Sequence, residues 1–237
     1  MLLADGLTLS EVSRLTCVSR STLREWRARP EAARRPADCP RCTGLDPDGP
    51  AYAALLGYYL GDGCISAAPR YFALRVSCDA RLPGIIQDIT RQIQAVRPGA
   101  RVFHVRAPGV IVVQSHWKHW PCLFPQHGPG RKHQRPIVLE DWQREIVEEH
   151  PGDLLRGLFH SDGCRVENWA TRTVAGQKKR YDYGRWMFVN SSDDIIDLCT
   201  ATLDAVGIRW RRPRVNCIAV SRADDVRRLD ALIGGKR

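Results

Sequence analysis

A chain of 237 residues with 43% apolar content can pack one large or two small domains, and no apolar run approaches the ~18 residues of a membrane span. A formal net charge of +10 favours an anionic partner, with nucleic acid the first candidate and an acidic protein or membrane surface the plain alternative. Met1 to Leu9 lacks a basic region and a cleavage site, so no secretory signal is read; nine cysteines, an odd number, fit reduced core residues in a cytoplasmic protein better than a disulfide frame.

In chain order, Leu9 to Arg29 reads as a helix-turn-helix. Leu9, Val12 and Leu15 follow helical spacing, Thr16-Cys17 forms the turn and Val18 packs beneath it. Ser19 caps a second helix that turns Leu23 and Trp26 inward. The string SEVSRLTCVSRSTLREW resembles bacterial DNA-binding helix-turn-helices, with Cys17 where glycine is usual at the turn. The resemblance implies that Arg20, Ser21 and Arg24 face a major groove; a helical hairpin used for packing is the structural alternative. A three-helix core would need a helix before Leu7, where only Met1 to Gly6 stand, so either the start lies upstream or the module is marginally stable. Ala28 to Pro50 is an arginine- and proline-rich linker. It contains Cys39-Pro-Arg-Cys42, half of a zinc site. Completion by distant residues and two thiols in a flexible segment are both open readings.

Two related stretches follow, LLGYYLGDG from Leu55 to Gly63 and LRGLFHSDG from Leu155 to Gly163, each followed by a cysteine, Cys64 and Cys164. Each reads as the end of a buried helix. Gly57 and Gly61 share one helix face, as do Gly157 and Ser161. Small residues at that spacing let two helix backbones approach closely, which offsets the ~1 kcal/mol that an interior glycine costs against alanine. Packing these helices together sets Asp62 beside Asp162 at two helix C-termini, where the dipole and their mutual repulsion both disfavour them. A hard divalent cation offsets both penalties.

The paired motifs, 100 positions apart (162 − 62), resemble those of single-chain, two-repeat LAGLIDADG homing endonucleases, from about Pro50 to the C-terminus. The sixth motif position, often Asp in that family, is Leu60 and His160 here. The resemblance implies an α+β fold: two pseudo-symmetric repeats of order αββαββα that form a saddle-shaped antiparallel sheet. It implies Asp62 and Asp162 as the acids holding Mg²⁺ or Mn²⁺, with Gly61 and Ser161 beside them. Lys132, with Lys118 behind it, matches the lysine that polarises the scissile phosphate or its attacking water. Arg75 matches a strand position that carries a polar or basic active-site residue.

The rest of the chain fills that outline. Cys64–Ala67 and Tyr71–Cys78 form a hairpin with Phe72, Leu74 and Val76 inward. A helix covers Leu82–Val96, and Arg101–Arg106 with Val110–Ser115 forms a second hairpin. The basic segment His116 to Pro136 carries four histidines and Cys122 at spacings that fit no common metal site, and is read as a loop passing the active site. Leu139–Glu149 is a helix with Trp142 and Ile146 inward. The second repeat has a longer hairpin, Arg165–Thr173 with Tyr181–Asn190, carrying Lys178, Lys179 and Arg180 near its tip. Ser192 caps the helix Asp193–Val206. Arg209, Arg211, Arg212 and Arg214 cluster at the last hairpin, and Asp224–Ile233 closes the fold. A two-stranded ribbon fits the major groove, so the second half carries more of the DNA contacts; a solvated charged loop is the alternative.

The expected domains are 1–30, 31–50, 51–150 and 151–237. The leading function is a Mg²⁺-dependent endonuclease of double-stranded DNA, monomeric, cytoplasmic and DNA-associated. The alternative is a catalytically weak or inactive transcription regulator that uses the same fold and the helix-turn-helix.

Overall fold

The computed structural model describes residues 7–16, 18–29 and 39–236. In the N-terminal unit, helices α1 (Leu9–Thr16) and α2 (Arg20–Ala28) pack through buried Val12 and Leu23. Ser19 caps α2 as expected, its Oγ accepting from the Thr22 amide at 3.1 Å. Leu15 and Trp26, expected inside, are 67% and 37% exposed. Within this unit the apolar contact of two short helices is narrow, and it leaves both side chains outside it. Cys17 at the turn and Met1 to Gly6 lie outside the described residues, as does most of the linker. The linker re-enters the structure as the one-turn helix α3 (Pro40–Thr43).

The main unit starts with α4 (Gly49–Leu60), β1 (Gly63–Ala68), β2 (Tyr71–Asp79), α5 (Pro83–Val96), β3 (Val102–Ala107), β4 (Val110–Trp117) and α6 (Trp120–Leu123). A 3₁₀ turn at Lys132–Gln134 and α7 (Asp141–Glu149) lead into the second half. That half comprises α8 (Pro151–Ser161), β5 (Gly163–Val174), β6 (Gln177–Val189), α9 (Asp193–Ala205), β7 (Arg211–Arg214), β8 (Cys217–Val220) and α10 (Ala223–Ile233). The strands pair as β1-β2-β4-β3 and as β5-β6-β8-β7. The same permutation occurs twice, so the duplication seen in the motifs extends to the topology. The expected antiparallel architecture is made of two four-stranded sheets, one per repeat.

Helix α4 is the centre of this unit. Asp48 caps it, accepting from the Ala51 amide at 3.0 Å, and every residue from Ala51 to Leu60 is buried. A helix apolar all round belongs inside. It meets α8 through the two predicted glycines. A Cβ on Gly57 would stand 2.5 Å from the Leu154 carbonyl oxygen and 2.8 Å from the Gly157 Cα, so the backbones touch there. Around this seam Tyr58 Oη donates to Asp88 Oδ2 at 2.8 Å and lies 3.1 Å from His160 Nδ1.

Three local expectations are corrected. In α7 it is Gln143 that is fully buried, donating to Tyr52 Oη at 2.6 Å, while Trp142 is only half-buried against the Tyr52 ring. Ser192 occupies the N-cap position of α9 but makes no side-chain cap bond; its amide donates to Asn190 Oδ1 instead. Lys178, Lys179 and Arg180 lie within β6, opposite Thr173, Arg172 and Thr171, because the hairpin turns at Ala175-Gly176, both at positive φ.

Candidate active site

Both motif ends are built alike. The Asp62 carbonyl accepts from the Ser77 amide of β2, and the Asp162 carbonyl from the Val189 amide of β6, each at 3.3 Å. The glycine after each acid is required by close approach: a Cβ on Gly63 would lie 2.9 Å from the Tyr59 carbonyl oxygen, and one on Gly163 2.7 Å from the Phe159 Cα. Each Asp-Gly thus folds tightly over the last turn of its helix, fixing both carboxylates at the α4–α8 seam.

The acids sit close to one another across that seam. A Cβ on Gly61 would lie 3.2 Å from Asp162 Oδ2, so that carboxylate reaches the first motif. Burial pushes the Asp162 carboxyl up to about 6, and the neighbouring Asp62 charge adds to it; Asn190, Lys132 and Lys236 oppose. Burial also raises the Asp62 carboxyl, with Lys236 and then Lys132 opposing. Asp62 is exposed by area, so water screens its charge more than that of half-buried Asp162.

Lys132 lies at the end of the first motif helix. Its Nζ lies 2.6, 2.7, 2.7 and 2.9 Å from the carbonyl oxygens of Tyr59, Leu60, Gly61 and Gly63, which share its three N–H donors. A cation there complements the negative end of α4. Burial lowers this amine to about 8, against the pull of Asp162 first and then Asp62. Lys118 is exposed at the end of β4 and belongs to a separate surface with Arg70 and Tyr71. Gly61 and Ser161 contribute differently from the expectation. The Gly61 carbonyl already accepts from Lys132, the Ser161 carbonyl accepts from Lys236 at 3.1 Å, and Ser161 Oγ donates back to Gly157 and Leu158 of its own helix.

Two residues escaped the sequence reading. Lys236 is the counterpart of Lys132, its Nζ on the carbonyls of Ser161 and Gly163, the latter at 2.6 Å. Burial lowers its amine, opposed first by Asp62. Asn190, just past β6, donates to Asp162 Oδ2 at 2.6 Å. The equivalent place in the first repeat, the residue after the amide that bonds the motif carbonyl, is Cys78, a buried thiol pushed up to about 12 by burial and by Asp62.

The lysines cross over. Asp162 lines a cleft of 480 Å³ with Lys132, Cys64, His127, Arg135 and Asn190. Asp62 lines a smaller one of 110 Å³ with Lys236, Cys78, His160 and Ser161. Each acid therefore shares its cleft with the lysine that caps the opposite motif helix. One cleft is larger and is furnished with an amide, the other tighter and furnished with a thiol.

The other predicted residues are spread over the surface. Arg75 on β2 lies in a register row with Cys64, Gln114 and Phe103, whereas its counterpart on β6 is Met187. Arg20 and Arg24 are exposed on α2. Arg180 pairs with Asp182 at 2.7 Å and sits 5.3 Å above the exposed Trp169 ring. Arg209 is held by buried Asp225 at 2.8 Å, and Arg212 by Asp193 at 3.0 Å, while Arg211 and Arg214 are exposed on β7. The four-arginine cluster is thus two structural pairs plus two outward cations.

No family model matches the chain, and no curated protein does. Solved structures do. The structure of I-DmoI in complex with DNA and calcium is similar with a TM-score of 0.51 at 12% identity, over 80% of this chain and 92% of that one. Structures of mesophilic variants of the homing endonuclease I-DmoI give 0.50 at 12% identity, over 78% and 95%. The LAGLIDADG meganuclease I-AabMI bound to uncleaved DNA gives 0.48 at 12% identity, over 77% and 82%. At such identity the likeness is one of fold.

Proposed function

We propose that this chain, whose fold is that of the two-repeat LAGLIDADG homing endonucleases, is a divalent-metal-dependent endonuclease of double-stranded DNA. The observation that carries the reading is the pair of crowded carboxylates at the α4–α8 seam, each sharing a cleft with a lysine. The donor set suits Mg²⁺ or Mn²⁺. It offers hard carboxylate oxygens whose burial and mutual repulsion a cation relieves. Asp62 and Asp162 would hold the ions, with the Gly61 and Ser161 carbonyls adjacent. A bound ion supplies Lewis-acid polarisation of the phosphoryl group and a more acidic water.

The chain's own residues supply position and charge. Asn190 fixes one oxygen of Asp162. Lys132 and Lys236 place ammonium groups at the two clefts, where they attract phosphate and offset the charge that builds on it. The exposed cations of β6 and β7, with Arg75, meet the DNA backbone. Arg20 and Arg24 on α2 make an accessory DNA contact. An inactive regulator on the same fold has no use for two acids and two half-buried lysines converging at one seam.

The test is cleavage of a randomised plasmid library with Mg²⁺ or Mn²⁺. Linear product is expected from the native chain. Asp62→Asn and Asp162→Asn should lose cleavage, a removal of at least ~10²-fold by analogy with deleting one charge-stabilising group, while still retarding DNA in a gel. A folded native chain that cuts nothing across the library, or acid variants that cut as well as it does, overturns the reading.

A further inference from the structure

A groove of 310 Å³ runs between α7 and α9 of the main unit, lined by Leu139, Val147, Pro151, Leu198, Ala201 and Ala205. Along α9 the lining residues recur at helical spacing, so one face of that helix forms a wall. Ala201 and Ala205 are exposed and Leu198 is half-buried, so this apolar wall meets solvent. The Thr202 hydroxyl in the lining donates to the Leu198 carbonyl at 2.7 Å, and so does little to orient a small polar ligand. The flanking helices have the opposite sign to the chain. Helix α7 carries four acids and one arginine and α9 four acids and no base, a net of −7 (1 − 8) within a chain of net +10. Arg144 pairs with Asp141 at 2.8 Å and Arg212 with Asp193 at 3.0 Å, while Arg228 stands on the Val206 and Gly207 carbonyls past the end of α9. Among the described residues, Glu145, Glu148 and Asp197 are exposed and have no cationic partner. Glu148 lines the groove, Glu145 stands one turn before it, and Asp197 one turn before Ala201.

We propose that this groove docks a basic amphipathic helix of a protein partner. An apolar patch rimmed by charge marks an interaction surface, and the sign of this rim selects the occupant. It repels DNA and anionic lipid and attracts cationic side chains. The walls are helices, which offer no strand edge for an extended peptide to pair with. A helix with apolar residues at i, i+3, i+4 and i+7 fills the floor, and Lys or Arg on its flanks meets the three free carboxylates. This proposal does not rest on the nuclease reading.

The experiment measures binding of labelled synthetic peptides to the purified full chain by fluorescence anisotropy. The probe is a leucine–lysine peptide with leucines at that helical spacing. A scrambled peptide of the same composition and a leucine–glutamate peptide of the same pattern are the controls. The leucine–lysine peptide should bind saturably, and each control at least ~10-fold more weakly. Ala201→Arg fills the groove from an exposed helix position and should weaken binding at least ~10-fold with the circular dichroism spectrum unchanged. The triple variant Glu145→Lys, Glu148→Lys, Asp197→Lys should reverse the preference toward the leucine–glutamate peptide, whereas Glu167→Lys on β5 should change nothing. Equal binding of the scrambled peptide, no binding of the leucine–lysine peptide, or a folded Ala201→Arg chain that binds as well as the native one overturns the proposal. So does a dimer of the native chain in sedimentation that Ala201→Arg abolishes, because the groove then belongs to a second copy.

Discussion

Asp162 carries the clearest consequence at the scale of single residues. Its folded pKa of about 6 lies above the ordinary carboxyl value near 4. Between those values the folded chain binds more protons than the unfolded one. The stability that the neutral acid provides is therefore intact at low pH and is lost as pH rises through about 6. In chelator at pH 8, Asp162→Asn should be more stable than the native chain, by at most about 3 kcal/mol, and the difference should vanish near pH 4. Thermal unfolding at both pH values checks this. Saturating Mg²⁺ should remove the native chain's deficit, since the cation takes over the compensation, and ion affinity should rise as pH passes about 6. Lys132→Met removes the cation from the end of α4 and leaves four carbonyls without that donor. It should lower both cleavage and melting temperature, whereas Lys118→Met should change neither appreciably.

The motif helices account for what could be read in advance. The pairs Gly57/Gly61 and Gly157/Ser161 announce close packing because only a missing or very small side chain suits that distance. Gly57→Ala and Gly157→Ala should each destabilise the fold by at least about 2 kcal/mol through forced backbone separation, measured by denaturant midpoint. The acids and Lys132 were legible for the same reason, since they stand next to, or one loop away from, a repeated local signal. Lys236 and Asn190 were not. Lys236 lies 104 positions from Lys132 while the acids lie 100 apart (236 − 132; 162 − 62), so no fixed period marks it. Its place is decided by where α10 ends. Asn190 looks like any strand-ending asparagine until β6 is docked beside α8. Trp142 yields its expected place to Gln143 because the interior there offers Tyr52 Oη and Gln126 as partners, which an amide satisfies and an indole does not.

For the molecule as a whole, basic charge is concentrated unevenly. The β5–β6 hairpin holds Lys178, Lys179 and Arg180 in exposed register with Arg172, and Arg180 shares its charge with Asp182 and the Trp169 ring. The lysines, not the arginine, should then dominate binding to phosphate. A Lys178→Ala, Lys179→Ala double variant should reduce the slope of log affinity against log salt by about 2, near 0.9 for each phosphate no longer neutralised. Arg209→Ala should leave that slope unchanged and instead destabilise the fold by stranding buried Asp225. The two halves share topology, yet they place different neighbours beside their acids: an asparagine amide in one, a buried thiol in the other. On the proposed endonuclease reading, two chemically unlike clefts should turn over at different rates, so supercoiled plasmid should pass through an open-circular, singly nicked form before it becomes linear.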